Sequence, residues 1–133
     1  MIKSPALLPI ILTAAMQTFC SCDNNHPPSE QNQMVRLAKL VIDSTQLERY
    51  RVALIEEIEA SVRLEPGVLT LYAVAEKDNP THITILEIYA DTNAYKSHIQ
   101  TAHFIKYKTG TKEMVKSLEL IEAAPLIPGM KIK

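Results

Sequence analysis

Residues 68–90 read VLTLYAVAEKDNPTHITILEIYA, and this stretch decides the fold. Two apolar, β-branched runs, Val68–Glu76 and Thr81–Ala90, flank the polar break Lys77-Asp78-Asn79-Pro80. Runs of that kind form strands, and a short Pro-bounded break joins them as a hairpin. Upstream, Glu65-Pro66-Gly67 stops a helical pattern in which Leu47, Tyr50, Leu54, Ile58 and Val62 share one face. Arg49, Glu56, Glu57, Glu59 and Arg63 fall on the other side, where water is expected. Asp43-Ser44-Thr45 offers N-caps, and Thr45 with Glu48 matches a capping box. Before it, Met34–Ile42 reads as a first strand. Downstream, Asp91 or Thr92 caps a helix over residues 93–100, and a further helical stretch runs from Ala102 toward Leu118, weakened by Gly110. Ser117–Ala124 closes the pattern as a last strand. The order β-α-β-β-α-β predicts an α+β, ferredoxin-like domain over residues 34–125, with four antiparallel strands and helices on one face.

Composition narrows the function classes. A chain of 133 residues holds one ordinary domain. With 14 Lys and Arg against 15 Asp and Glu, it lacks the basic excess that nucleic-acid binding requires, so no nucleic-acid partner is expected. Its two cysteines, Cys20 and Cys22, are too close in sequence to staple a small secreted domain.

The N-terminus reads as an address. Lys3 precedes the eleven-residue apolar stretch Ala6–Met16, too short to span a bilayer and suited to a secretory signal. Ser21 precedes Cys22, with Phe19 two positions before Ser21, and this resembles a bacterial lipoprotein signal in which Phe19 stands where Leu is usual. Residues 1–21 are then the signal, Cys22 the lipidated residue, and residues 22–33 a polar tether. The expected location is the cell envelope, with the membrane reached through the lipid anchor only. An ordinary secretory signal with an incidental Cys pair is the alternative. Residues 126–133 form a Pro-bounded tail.

Strands two and three are apolar on both faces, although helices in this fold cover only one. Leu69, Leu71 and Ala73 are placed on one side with Val68, Tyr72 and Val74 on the other, and Ile83 and Ile85 oppose Leu86 and Ile88. An uncovered apolar face marks a partner surface, and a sheet-to-sheet homodimer is expected.

Three motifs in order, Glu65-Pro66-Gly67, Glu87-Ile88-Tyr89 and His98-Ile99-Gln100-Thr101-Ala102-His103-Phe104, resemble those of the antibiotic biosynthesis monooxygenase (ABM) family. The resemblance covers residues 34–125. It implies a dimeric α/β barrel with a pocket between helices and sheet in each subunit. Some members of that family oxygenate quinols or anthrones without metal or flavin, others isomerise small phosphorylated ketones, and others degrade haem. The haem-degrading branch relies on a Trp and a downstream His. Here His98 and Lys108 stand at those positions and the chain contains no Trp, so haem degradation is not expected.

Cofactor-free oxygenation requires a base, exclusion of water and orientation of an electron-rich substrate. His98 is the first candidate base, since imidazole titrates near neutral pH and His98 shares a helical face with Tyr95. Its alternative is a packed histidine bonded to a backbone carbonyl. His103, five residues on, either faces the same cavity or bonds at a helix start, and it makes a poor metal pair with His98 because no third ligand is evident. No metal or other cofactor is expected. Glu87, isolated in an apolar strand, either pairs with Arg36 or Lys39 or serves as a base or an orienting group for a histidine. Tyr72, Tyr89 and Tyr95 are candidate substrate contacts, and Phe104, Tyr107 and Met114 candidate cavity walls. Lys106, Lys108, Lys112 and Lys116 form a basic run, either solvated or attracting an anionic substrate.

The expected activity is a monooxygenase acting on a small phenolic or quinol-like aromatic with O2. The alternatives are an isomerase of a small hydroxy-ketone and a noncatalytic domain that binds a small hydrophobic molecule.

Overall fold

Apolar alternation, turn residues and a Pro-Gly stop divide the chain into the elements of a computed structural model that describes residues 32–127. The signal, Cys22, nearly all of the tether and most of the tail lie outside the described residues. In chain order the elements are β1 (Met34–Ile42), α1 (Leu47–Leu64), β2 (Val68–Ala75), β3 (His82–Tyr89), α2 (Thr92–His98), α3 (Ala102–Thr111) and β4 (Val115–Ala123). Short 3-10 turns at Ser44–Gln46 and Lys112–Met114 precede α1 and β4. The strands form one antiparallel sheet in the order β2-β3-β1-β4, the ferredoxin-like α+β arrangement. Among the described residues no helix is long and apolar enough to cross a membrane.

Strand register separates the two faces. Ala38 lies opposite Ile85 and Leu120, and Leu40 opposite Ile83 and Leu118, so these side chains share the helix-facing side. With Ile42, Tyr50, Leu54 and Met114, Ala38, Leu40, Ile83 and Ile85 form the buried core. Full burial of an aliphatic side chain contributes about 1.5–3 kcal/mol relative to exposure, so this cluster dominates the favourable side of folding. Leu37, opposite Leu86 and Ile121, faces the other way together with Tyr72.

Several boundaries differ from the sequence reading, each for a local reason. A bulge between Val68 and Thr70 turns Val68 inward against Tyr89 and leaves Leu69 partly exposed, the reverse of strict alternation. The Thr45–Glu48 capping box does not form. Asp43 instead accepts hydrogen bonds from the Thr45 backbone N–H (2.8 Å) and hydroxyl (2.6 Å), capping the 3-10 turn that leads into α1. The last helix ends at Thr111, whose hydroxyl donates to the Tyr107 carbonyl (2.8 Å), and β4 begins two residues before the expected strand start. Along α1 the buried stripe is Tyr50, Leu54, Glu57 and Ser61, while Val62 is exposed.

Gly67 fits where no larger residue does. A Cβ added there would lie 2.5 Å from the Ala94 Cβ, and both atoms are fixed to backbone. Gly67→Ala is therefore expected to cost about 1–3 kcal/mol by forcing β2 and α2 apart. Urea unfolding of Gly67→Ala with and without Ala94→Gly checks this, because the second change should recover most of the loss.

Candidate active site

The helix-facing side of the sheet does not close completely. A cavity of about 340 Å³ remains between the sheet and α1, α2 and α3, within the size range of small-molecule sites. Its apolar lining includes Leu54, Leu71, Ile85, Phe104, Leu118 and Leu120, and its polar lining includes Arg36, Glu57, Glu87, Tyr89, Tyr95, His98 and Tyr107.

His98 is the last residue of α2, whose register is set by Asp91 accepting from the Ala94 backbone N–H at 2.8 Å. Its ring is 2 % exposed and lies 5.3 Å from the Tyr89 ring and 4.8 Å from the Phe104 ring, between centroids. Nδ1 sits 3.0 Å from Glu65 Oε1, and Nε2 lies 3.6 Å from Glu57 Oε1. His103 Nε2 reaches the same Glu65 oxygen at 2.5 Å. The alternative partner for His98, a backbone carbonyl, is replaced by this carboxylate.

Glu65 is placed by the chain's inability to continue α1. Pro66 disfavours a helical conformation at the preceding residue, and Glu65 is extended (φ −113°, ψ 100°), with its N–H bonded to the Ser61 carbonyl. Burial works against the Glu65 charge, but hydrogen bonds from His103 and His98 outweigh it and hold the carboxyl below its usual range. As the ionised partner Glu65 accepts from His98 Nδ1–H, and Nε2 is directed toward Glu57. Burial raises Glu57 above the usual carboxylate range, although Ser61 Oγ donates to it at 2.8 Å and the histidines favour its charge. His103, Glu65, His98, Glu57 and Ser61 thus form one continuous line of polar contacts beneath the cavity.

Other expected site residues are dispersed. Glu87 lines the cavity but ion-pairs with neither Arg36 nor Lys39. It accepts from the Tyr89 hydroxyl at 3.1 Å, while Arg36 approaches Glu122 and Lys39 faces the other side of the sheet. Tyr89, Tyr95, Phe104 and Tyr107 line the cavity. Tyr72 does not: strand alternation turns Leu71 and Ala73 inward and leaves Tyr72 65 % exposed on the far face. Met114 packs in the core, and His103 lies behind Glu65. Both border a second cavity of about 250 Å³ rather than the first. Of the lysine run, Lys106 pairs with Glu56, Lys116 lies 3.3 Å from Asp43, and Lys108 lines the larger cavity.

Glu57 and Glu65 were not among the residues expected at the site. Glu57 looks solvent-facing because charged residues flank it, and Glu65 reads as part of a helix stop. The available signal was a Glu immediately before Pro-Gly, where the helix must end. Glu65, His98 and His103 are also the group of possible metal ligands among the described residues, with donor atoms within 4.8 Å of one another. Glu65 is the third ligand type that sequence spacing left unseen. Its contacts to the two imidazoles already satisfy these groups by hydrogen bonding.

Burial lifts the Glu87 carboxyl above its usual range, against the opposing effects of Tyr89, Arg36 and His98. The native state therefore holds this proton to higher pH than the unfolded chain does. Its contribution is fully present below the unfolded pKa and is lost as pH rises through the folded value. Glu87→Gln, which cannot ionise, is expected to gain stability relative to the wild type between pH 4 and pH 8. Urea midpoints at the two pH values test this, and a difference independent of pH would contradict it.

The sequence pattern of the family described as antibiotic biosynthesis monooxygenase matches residues 34–110, more than half of the chain. The chain belongs to this family. A crystal structure of a candidate antibiotic biosynthesis monooxygenase from Bacteroides thetaiotaomicron VPI-5482 is 65% identical, with a TM-score of 0.77 over 78% of this ABM chain and 99% of that one. A candidate monooxygenase from Lactobacillus acidophilus NCFM is 31% identical, with a TM-score of 0.66 over 67% of this chain and 42% of that one. A Nitrosomonas europaea structure at 20% identity and TM-score 0.68, covering 73% of this chain and 93% of that one, shares the fold. Among curated proteins none matches this chain.

Proposed function

We propose that this ABM-family protein is a cofactor-independent monooxygenase of a small phenolic or quinol-like aromatic. The observation that carries the reading is His98 on the lining of a largely apolar cavity, held by ionised Glu65 through Nδ1 with Nε2 beside Glu57. In this mechanism Nε2 takes a proton from the substrate, and the resulting anion passes one electron to O2. Recombination forms a carbon–oxygen bond, and the hydroperoxide collapses to a carbonyl. One oxygen atom stays in the product and the other leaves as water, with all reducing electrons drawn from the substrate. The apolar walls exclude water from the anion, and Tyr89 and Tyr107, whose hydroxyls are held by Glu87 and Tyr50, line the same cavity.

The test is oxygen uptake by the purified protein over a panel of quinols and anthrones, corrected for autoxidation. Saturable, enzyme-dependent uptake with one oxygen atom in the product supports the reading. Conversion of a hydroxy-ketone without uptake would replace it with the isomerase. The far face of the sheet, with Leu37, Tyr72 and Leu86, further supports a homodimer through that surface, which a monomer in sedimentation would refute. Lipid on Cys22 as an envelope anchor is proposed from the sequence alone.

A further inference from the structure

Arg36 is a cation in a place that provides little for it. It projects from near the start of β1 on the helix-facing side, between Glu87 and Glu122 in register, and is 8 % exposed. Its Nε is buried and has no hydrogen-bond partner among the described residues. Its ion pair, from Nη2 to Glu122, spans 3.7 Å, beyond hydrogen-bond length, and the Glu122 side chain is 83 % exposed. The guanidinium carbon lies 4.4 Å from the centre of the Tyr95 ring, a cation–π contact, and Tyr95, Glu87 and Glu122 favour its charge without giving Nε a partner. Glu87, opposite Arg36 on the other side in register, accepts its hydrogen bond from Tyr89. A buried guanidinium with an unmet donor is costly, and this one lines the cavity.

We propose that the cavity binds an organic acid, an aromatic or alicyclic body carrying one carboxylate, which accepts hydrogen bonds from Arg36. Planar guanidinium and carboxylate match as paired donors and acceptors, and the apolar walls accommodate the body. A phosphate fits less well, because it would set nearly two negative charges against one buried guanidinium with Glu57 and Glu87 on the same lining. Lys108, the other cation of the lining, is exposed and its charge is solvated. The proposal rests on reading this cavity as the substrate site, but not on oxygen chemistry.

The test uses two probes of one shape, 2-naphthoate and 2-naphthamide, titrated calorimetrically into the full chain at neutral pH. The acid is expected to bind about 10- to 100-fold more tightly than the amide, the range for hydrogen bonds to a charged group. In Arg36→Gln that preference should vanish, in Arg36→Lys it should be partly kept, and in Lys108→Gln it should persist. Binding of naphthoate no tighter than that of naphthamide, including binding of neither, overturns the proposal even if the Arg36 variants fail to fold. A preference that disappears in Lys108→Gln overturns it as well. Acid preference without oxygen uptake on any substrate removes the oxygenase reading and leaves this one standing. Uptake of neutral quinols without acid preference does the reverse.

Discussion

Enzyme-dependent oxygen uptake is expected to fall about 10²- to 10⁴-fold in His98→Ala, the range that general-base removal typically costs. The reason is geometric. Nδ1 is committed to Glu65 at 3.0 Å, so the ring is oriented and Nε2 is the nitrogen left for the substrate. Alanine removes the base and also the partner of two carboxylates, Glu65 and Glu57. Affinity for a nonreacting ligand should change only a few-fold, because the apolar walls remain. Glu65→Gln is the milder counterpart. It keeps a hydrogen-bonding side chain at that position but loses the charge that selects the tautomer, so a smaller loss of turnover is expected with His98 still present. Turnover and ligand affinity measured together, on variants whose unfolding midpoints are known, separate the outcomes. Unchanged turnover in His98→Ala removes this residue from the base role, and parallel loss of binding and stability makes it a packing residue.

Tyr50→Ala is expected to cost about 3–5 kcal/mol, the loss typical of truncating a buried aromatic. Tyr50 is fully buried at the centre of the core, and its hydroxyl lies 2.6 Å from that of Tyr107. The two rings are tilted by 57° with centroids 6.0 Å apart, so Tyr50 also supports a side chain that lines the cavity. For a domain of this size the loss corresponds to a fall in Tm on the order of 10–30 °C. Tyr50→Phe keeps the ring and removes only the hydroxyl, so about 1–3 kcal/mol is expected from the stranded Tyr107 group. Burial pushes the Tyr50 hydroxyl up to about 12 and raises Tyr107 as well. Both stay protonated at ordinary pH, and the cost of either substitution should be the same at pH 6 and pH 9. Thermal unfolding at the two pH values decides this, and equal Tm values for Tyr50→Phe and wild type would show that the hydroxyl pair contributes nothing.

The hairpin around Lys77–Pro80 and the long first helix were legible because period-2 and period-3.6 apolar patterns directly reflect which side of an element meets the core. His98, Tyr89, Tyr95, Phe104 and Tyr107 stood out by residue type, and the fold brings them to one cavity. The signal weakened where a single residue changes phase. The bulge at Leu69 reverses the faces of Val68 and Leu69, and alternation alone carries no mark of it. Tyr72 and Tyr89 are both strand tyrosines, yet one lies on each side of the sheet. Only strand pairing reveals which.

The sequence by itself determined the order of elements, their approximate ends and the family, because these depend on local patterns and on short motifs at fixed spacing. Tertiary structure alone decided the electrostatics of the site. Helical spacing puts Glu57, but not its exposed neighbour Glu56, in line with Tyr50 and Leu54 on α1, yet only folding brings its carboxyl beside His98. Glu65 meets His98 and His103 from 33 and 38 residues away. The unmet Nε donor of Arg36 likewise follows from what β3, β4 and α2 place around it. Local pattern specifies backbone conformation, whereas desolvation and charge pairing depend on neighbours that are distant in the chain and close only after folding.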